Sequence, residues 1–485
     1  MANSQPEETD AWRILLFGRK GAELLLLRGA SGFRLPELRI PRWQRIAPNL
    51  NAEVKRLWGL DAIAVFPFDV NPEARASGRR KYHIMEVCEP KDLARVVPDF
   101  LSVSALDEAL FADRRDFIAV QQGMGFDGAS LPEEYHGPFS EFGSLHKIRA
   151  WVDAQLLPLG LCRDGRFRQF QASASFALIR FQTADSAVWF KALGEPNTRE
   201  FRITIELAAK FPSHLPALIA TCSNWNAWLT KEVNGQDLFE GADTCAWRRA
   251  AESLADLQIA SIEHASDILT AGARDVRVSR LLALANPFFE VLERMMQRQT
   301  KTVPPPLQAH EINRVKEHVV SLLQEMESTR MPDTLNHLDP NPGNVFVSLH
   351  TCTFLDWAEA AVGNPFFTFE YLRQHFHRKF PTDSALQAAF CNSYLSRWAS
   401  IIPDKTGEQM MRLAPLVALF AYAASVLPWK ETNPGNPLEL QAFLRSLGRR
   451  MHHESECLRK PLTESRAGGE YHGDNVASVS GASES

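Results

Sequence analysis

"HLDPNPGNVFVSLHTCTFLDW", His337 to Trp357, places an Asp, an Asn five residues on, and an Asp-Trp twelve residues after that around an apolar hairpin. "NVFVS" and "CTFLD" alternate in hydropathy as two short strands do, with "LHT" as a tight turn between them. Such a hairpin brings its outer ends together, so Asn344 at the start of the first strand and Asp356 at the end of the second face one place. Pro340, Pro342 and Gly343 make "DPNPGN" a fixed turn rather than a helix, and it holds Asp339 just before both. Two carboxylates and one amide are all oxygen donors. They suit Mg²⁺, a hard cation usually held together with phosphates and water, and the lack of a His or Cys cluster argues against zinc.

The chain around this stretch has 485 residues, too many for one ordinary core, so two or three domains are expected. With 45% hydrophobic and 23% charged residues it reads as soluble and globular. A net charge of -5 without a Lys/Arg block argues against nucleic acid as partner. Seven scattered cysteines, none spaced Cys-x-x-Cys, fit free thiols in a reducing, cytoplasmic compartment. The polar, acidic start "MANSQPEETDAW" is no signal peptide. The apolar run "LAPLVALFAYAASVLPW", Leu413 to Trp429, is short for a membrane span and carries two prolines, so it reads as a buried helix and no membrane is expected.

Residues 1–11 are expected to be disordered, and residues 12–122 to form an α/β domain. Its strands are "RILLF", "LLLLRG", "AIAVFPFDV" and "KYHIMEVCE"; its helices are "NAEVKRLWGL" and a Ser-capped "VSALDEALF". Residues 123–144, rich in Gly, Pro and Ser, read as a linker. Gly123, Gly125 and Gly128 match a dinucleotide fingerprint by letter, but no helix can open across the prolines that follow, so the match is a coincidence of letters. Residues 145–235 alternate a helix, three strands, a helix and a strand; 236–460 are mostly helical; 461–485 read as a disordered tail. "HFHRKF" and "MHHES" lack partners at ligand spacing and read as solvated helix faces.

The opening stretch resembles the catalytic and metal-binding segment of aminoglycoside phosphotransferase-like kinases, relatives of the protein kinases, with its His-x-Asp-x4-Asn, hairpin and Asp-Trp. The resemblance covers about residues 145–430 and implies an α+β bilobal protein-kinase-like fold, with a small β-rich lobe and a large helical lobe. It implies that Asp339 accepts the proton of a substrate hydroxyl, that Asn344 and Asp356 hold Mg²⁺ against the ATP phosphates, and that His337 braces the loop. Upstream, "AVWFKAL" supplies Lys191 for the α/β-phosphates. "REFRITIELAAKF" supplies Glu200 to hold it, with Glu206 as competitor. "WLTKEVNGQDL" resembles the lobe connector. There the backbone of Lys231 and Val233 would meet adenine, and Gly235 would allow the sharp exit.

Several positions depart from the family pattern. The nucleotide-covering turn, "FQASASF", has no glycine, and Gln258 stands where a His is common. In "GNPFFTF", Asn364 and Thr368 replace two acids, the second of which normally supports the catalytic loop. The implied function is an ATP- and Mg²⁺-dependent kinase acting on a hydroxyl of a small-molecule acceptor. The alternative is a pseudokinase-like nucleotide- or metabolite-binding regulatory module, which the missing glycines and acids favour.

"LPELRIPRWQRIAPNLNAEVKRLWGL", Leu35 to Leu60, resembles a degenerate Nudix segment. Glu53, Val54, Gly59 and Leu60 fit the signature, whereas the paired metal-binding glutamates become Arg56 and Leu57. An arginine cannot carry Mg²⁺, so the domain is expected to be an accessory rather than a hydrolase.

Overall fold

The computed structural model describes residues 8–18, 21–42, 44–68, 81–89, 100–124, 142–173, 176–195, 197–239, 243–349, 352–429 and 438–459. Most of the expected 123–144 linker, the tip of the "FQASASF" turn at 174 and 175, the tip of the hairpin at 350 and 351, and the 461–485 tail lie outside these residues. The chain divides into two compact units, Met1–Phe201 with Ala217–Glu232, and Arg202–Pro216 with Val233–Ser485. None of its seven cysteines is in a disulfide.

The first unit is built on "RILLF". Ile14 and Leu16 point to one face of the Thr9–Gly18 strand, and Leu15 and Phe17 to the other, the two-residue period of a strand covered on both sides. This strand pairs parallel with Lys81–Val87 and antiparallel with Glu23–Leu25 and Glu37–Pro41 in a six-stranded mixed sheet. Thr9, Asp10 and Ala11, expected in a disordered terminus, are strand residues opposite Pro41, Ile40 and Arg39. Leu50 and Val54 of the Ile46–Trp58 helix cover one face, and Gly59 at φ 69° ends that helix with its N–H on Lys55 O. The expected helix at "VSALDEALF" is instead two 3₁₀ turns, Val103–Ala105 and Glu108–Leu110. The Asp107 carboxylate caps Ala109 N–H and so gives the backbone a local alternative to a longer helix.

The other face of the sheet continues into a second, five-stranded antiparallel sheet. Its order is Leu218–Cys222, Ala227–Lys231, Ala187–Leu193, Phe176–Thr183, Arg163–Ser173. Leu15, Phe17 and Ile84 share one apolar core with Ile148 and Val152 of the Ser144–Leu156 helix and with Ile179, Phe181 and Phe190 of this sheet. Gln169 joins the two sheets. Its side chain, 1% exposed, accepts Ala64 N–H at 2.9 Å, donates to Ala64 O at 2.8 Å and accepts from Asn51 Nδ2 at 2.8 Å. A side-chain amide thus serves the Ala64 backbone as a neighbouring strand would.

In the second unit, the described residues form seven longer helices and two small sheets. Val345–Val347 and Cys352–Phe354 form the expected hairpin, with Gln236–Asp237 added outside Val345–Val347. Thr334–His337 and Arg274–Val276 flank Ala360–Gly363. The Arg199–Lys210 helix, expected wholly in the small lobe, belongs to this unit from Arg202 on. The reason is that Ile203 and Leu207 are buried in the core with Trp247 and Leu254 of the Thr244–Ala260 helix. Of the apolar run expected to be a buried helix, Leu413 to Ser425 falls in the Asp404–Ser425 helix, with Leu413, Leu416 and Phe420 fully covered, and Val426 to Trp429 lie past its end. Among the described residues, no helix is long and apolar enough to cross a membrane.

Candidate active site

Lys191 lies in the middle of the Ala187–Leu193 strand, between Leu178 and Trp228 of its neighbours. Its Nζ donates to Glu200 Oε1 at 2.6 Å, with the two side chains 14% and 3% exposed. Nζ also lies 5.4 Å and 5.6 Å from the ring centres of Phe176 and Trp228. Glu206, the competitor, pairs instead with Lys210 at 3.3 Å. One helical turn and a half separates the two glutamates, so only Glu200 in the first turn reaches back to the strand.

Lys231 ends the neighbouring strand. Its N–H donates to Ala217 O at 2.9 Å, so of its backbone groups only the carbonyl can serve a ligand, a restriction the sequence did not indicate. Gly235 has φ 117°, and a Cβ there would sit 2.5 Å from Val347 O, so only glycine fits.

In the second unit, the buried Thr334–His337 strand delivers His337 and Asp339. His337 Nε2 meets Leu355 O at 2.8 Å, and Nδ1 accepts Asp339 N–H at 3.3 Å. Together these contacts require the neutral tautomer with hydrogen on Nε2. The ring is braced further by Trp357, 4.8 Å away between ring centres. Asn341 Oδ1 accepts Gly343 N–H, and Asn344 N–H reaches Asn341 O at 2.7 Å, which closes "DPNPGN" as a 3₁₀ turn.

Asn344 therefore ends that turn rather than starting the strand, and Asp356 lies two residues beyond the second strand. Leu355 N–H donates to Asn344 O at 2.8 Å, and this bond carries the hairpin pairing outward to both residues. Asp356 has φ 61°, a left-handed conformation that costs a non-glycine residue about 1–2 kcal/mol and that Asp tolerates better than most. Asp339, Asn344 and Asp356 present only oxygen donors, the set a hard divalent cation takes.

Asp339 accepts the Tyr371 hydroxyl at 3.2 Å. Burial pushes its carboxyl above the ordinary carboxylate range; the nearby Asp356 charge adds to this and the Tyr371 hydrogen bond opposes it. Burial also raises the Tyr371 phenol, with Asp339 adding, so the hydroxyl stays a donor. Tyr371 was missed from the sequence; its one signal is its position three residues after Thr368 on the helix that follows the hairpin.

The departures from the family pattern have structural counterparts. Thr368 Oγ1 accepts His337 N–H at 2.9 Å and donates to Asn336 Oδ1 at 2.8 Å. Asn364 Oδ1 accepts Phe366 N–H at 3.0 Å at the start of the Phe366–Lys379 helix. Gln258, fully buried, donates to Pro365 O at 2.9 Å and accepts the Tyr394 hydroxyl at 2.7 Å. On the Ile46–Trp58 helix, Glu53 is held by Arg56 through Nε and Nη2, at 2.6 Å for the shortest contact. Among the described residues, no group of three or more His, Cys, Asp or Glu side chains gathers as a metal cluster.

No family model matches the chain. No curated protein matches it. Solved structures similar to it include phosphotransferases. A macrolide 2'-phosphotransferase from Brachybacterium faecium matches at 15% identity over 66% of this chain and 100% of its own, with TM-score 0.40. A choline kinase from Cryptosporidium parvum matches at 10% identity over 65% and 96%, with TM-score 0.47. An ethanolamine kinase from Plasmodium vivax matches at 12% identity over 60% and 82%, with TM-score 0.41. At these scores the likeness carries nothing about substrate.

Proposed function

We propose that the chain is a small-molecule kinase that transfers the γ-phosphoryl group of ATP, with Mg²⁺, to a hydroxyl of its acceptor. The observation that carries this reading is the Lys191–Glu200 pair, buried at 14% and 3% exposure. Burying two charges costs several kcal/mol each, and well-packed apolar residues would be as stable or more so. A lysine held at that expense suits a site where a fixed positive charge has work to do, and phosphate binding is such work.

In this reading Lys191 contacts the α- and β-phosphates and Glu200 fixes its position. Lys231, through its carbonyl, and Val233 take the adenine edge. Asn344 and Asp356 hold Mg²⁺, which when bound neutralises charge on the β- and γ-phosphates. Asp339 receives the proton of the attacking hydroxyl. His337, neutral and bonded at both ring nitrogens, keeps the Asp339 loop at a fixed distance from Leu355. Residues 145–235 and 236–460 would act as the two lobes, with residues 12–122 as a Nudix-like accessory domain. The closure of Arg56 on Glu53 supports a non-hydrolytic role for that domain.

The pseudokinase-like alternative drew on the acids lost at Asn364 and Thr368. The bonds made by Thr368 supply the loop support that the second acid would give, which favours the catalytic reading. The test is label transfer from γ-labelled ATP to a pool of small metabolites in the presence of Mg²⁺. The wild-type chain is expected to label an acceptor and Asp339→Asn to label none. No transfer by the wild type would sink the proposal.

A further inference from the structure

The Phe366–Lys379 helix is attached to the Thr334–His337 strand and to the loop after it at two points one turn apart. Thr368 Oγ1 accepts His337 N–H at 2.9 Å, and the Tyr371 hydroxyl donates to Asp339 Oδ1 at 3.2 Å. Residues three apart on a helix share a face, so a single turn grips the segment by its backbone at His337 and by the carboxylate at Asp339. The Asp339 backbone is fixed on both sides as well. Its N–H donates to His337 Nδ1 at 3.3 Å, and its carbonyl accepts Asn341 N–H at 2.8 Å.

With the backbone fixed, what remains to be set is the rotation of the Asp339 side chain about its own bonds. Among the described residues, the Tyr371 hydroxyl is the one hydrogen-bond donor on the Asp339 carboxylate. It engages Oδ1, and Oδ2 is the oxygen left to face an acceptor. The Tyr371 ring is itself held, with the His375 ring 4.9 Å away between centres. Burial, with the Asp339 charge adding, raises the phenol, so its hydrogen stays in place. A guanidinium or ammonium in the same position would pair with the carboxylate and weaken it as a base. A neutral hydroxyl orients the carboxylate without taking its charge.

We propose that Tyr371 is a positioning residue for phosphoryl transfer: its hydroxyl holds Asp339 Oδ1, so that Oδ2 is the oxygen presented to the acceptor hydroxyl. The inference rests on the kinase reading. In the step itself the acceptor oxygen forms a bond to the γ-phosphorus, and the bond from that phosphorus to the β-bridging oxygen breaks. The hydroxyl proton passes to Asp339 Oδ2, and ADP leaves. A general base must lie within about 2.6–3.2 Å of the group it deprotonates, and a displacement of about 1 Å can lower the rate on the order of a hundredfold. Tyr371 acts through Asp339, so its loss falls on the rate and not on binding.

The test uses the full chain, γ-labelled ATP with Mg²⁺, and a small-metabolite extract as the source of acceptor. Tyr371→Phe removes the hydroxyl and keeps the ring beside His375. The maximal rate of label transfer is expected to fall about tenfold or more, while the half-saturating amounts of ATP and of extract stay within about twofold of wild type. The gain in melting temperature from ATP with Mg²⁺ should equal that of wild type. Tyr394→Phe is the control: its hydroxyl, bonded to Gln258 Oε1 at 2.7 Å, serves the same unit away from Asp339, and its loss should lower the melting temperature at an unchanged maximal rate. A Tyr371→Phe enzyme with the wild-type maximal rate would overturn the positioning role and leave the kinase reading intact. So would a fall in rate matched by a rise in both half-saturating amounts, or an equal fall in Tyr394→Phe. No label from the wild type would overturn both.

Discussion

Thr368 Oγ1 accepts the backbone N–H of His337 at 2.9 Å and hands its own hydrogen to Asn336 Oδ1 at 2.8 Å. Asn336 in turn accepts Thr368 N–H at 3.3 Å and donates through Nδ2 to Thr334 O and Gly363 O, at 3.2 and 3.0 Å. All of this is buried, and both donors of Thr368, its N–H and its hydroxyl, go to the one Asn336 oxygen. A carboxylate at the same place would bring a charge into the core. The neutral pair supports the same loop without that desolvation cost.

Thr368→Val keeps the shape and removes both roles of the hydroxyl. It leaves His337 N–H without its acceptor, and such an orphaned buried group costs about 1–3 kcal/mol. The variant should melt several degrees below wild type. Thr368→Ser should recover most of the loss, because it restores the same two bonds. A valine variant as stable as wild type would show the bonds to be incidental.

Asp356 carries two burdens that can be separated. Asp356→Ala loses a carboxylate and also puts a residue poorly suited to φ 61° at that position. Asp356→Asn keeps a side chain that tolerates the left-handed region and changes chiefly the charge. The Asn variant should therefore melt close to wild type without ligand. ATP should raise the wild-type melting temperature much more with Mg²⁺ than without it, and that Mg²⁺-dependent gain should vanish in both variants. Its persistence in Asp356→Asn would remove Asp356 from the metal site.

His83 gives the first unit a pH dependence. It is 2% exposed in the Lys81–Val87 strand, and its Nδ1 lies 2.9 Å from Ile84 O. Burial lowers its imidazole from the ordinary value of 6.5 to about 4, against a smaller opposing effect of that bond. Between these two values the unfolded chain binds the proton and the folded one does not. Stability from this group is thus complete above pH 6.5 and falls as the pH drops toward 4. Going from pH 7.5 to 5, the loss should be about 2 kcal/mol. His83→Gln should lose less over the same interval in denaturant titrations, and an unchanged slope would count against the assignment.

Local pattern made the hairpin legible: alternation of period two in "NVFVS" and "CTFLD", and prolines in the preceding turn, leave few other conformations. Lys191 and Glu200 were legible for a related reason, since nine residues and one strand-to-helix turn separate them. The compensation at Thr368 was not. It depends on Asn336, 32 residues earlier, and an asparagine in a short strand looks the same whether its amide is bonded or not. The union of the two sheets in the first unit was hidden in the same way. Gln169 is one of two glutamines in "RFRQFQA" and its partner Ala64 is 105 residues away. Long-range hydrogen bonds between polar side chains and backbone leave no periodic trace in the chain.

The Lys191–Glu200 pair gives the sharpest separation of structure from function. Lys191→Met alone leaves Glu200, at 3% exposure, as an uncompensated buried charge, and Glu200→Gln alone does the same to Lys191. Each single variant should be less stable by about 3–5 kcal/mol. The double variant, Lys191→Met with Glu200→Gln, removes both charges together and should regain most of that stability, because a buried ion pair adds little net stability over neutral groups of similar volume. If the pair serves only the fold, the double variant should still gain thermal stability from ATP with Mg²⁺ and still transfer phosphate. If Lys191 contacts the phosphates, the double variant should be folded and inactive. Thermal melts and label transfer on the four proteins distinguish these results, and a stable, active double variant would remove Lys191 from the proposed site.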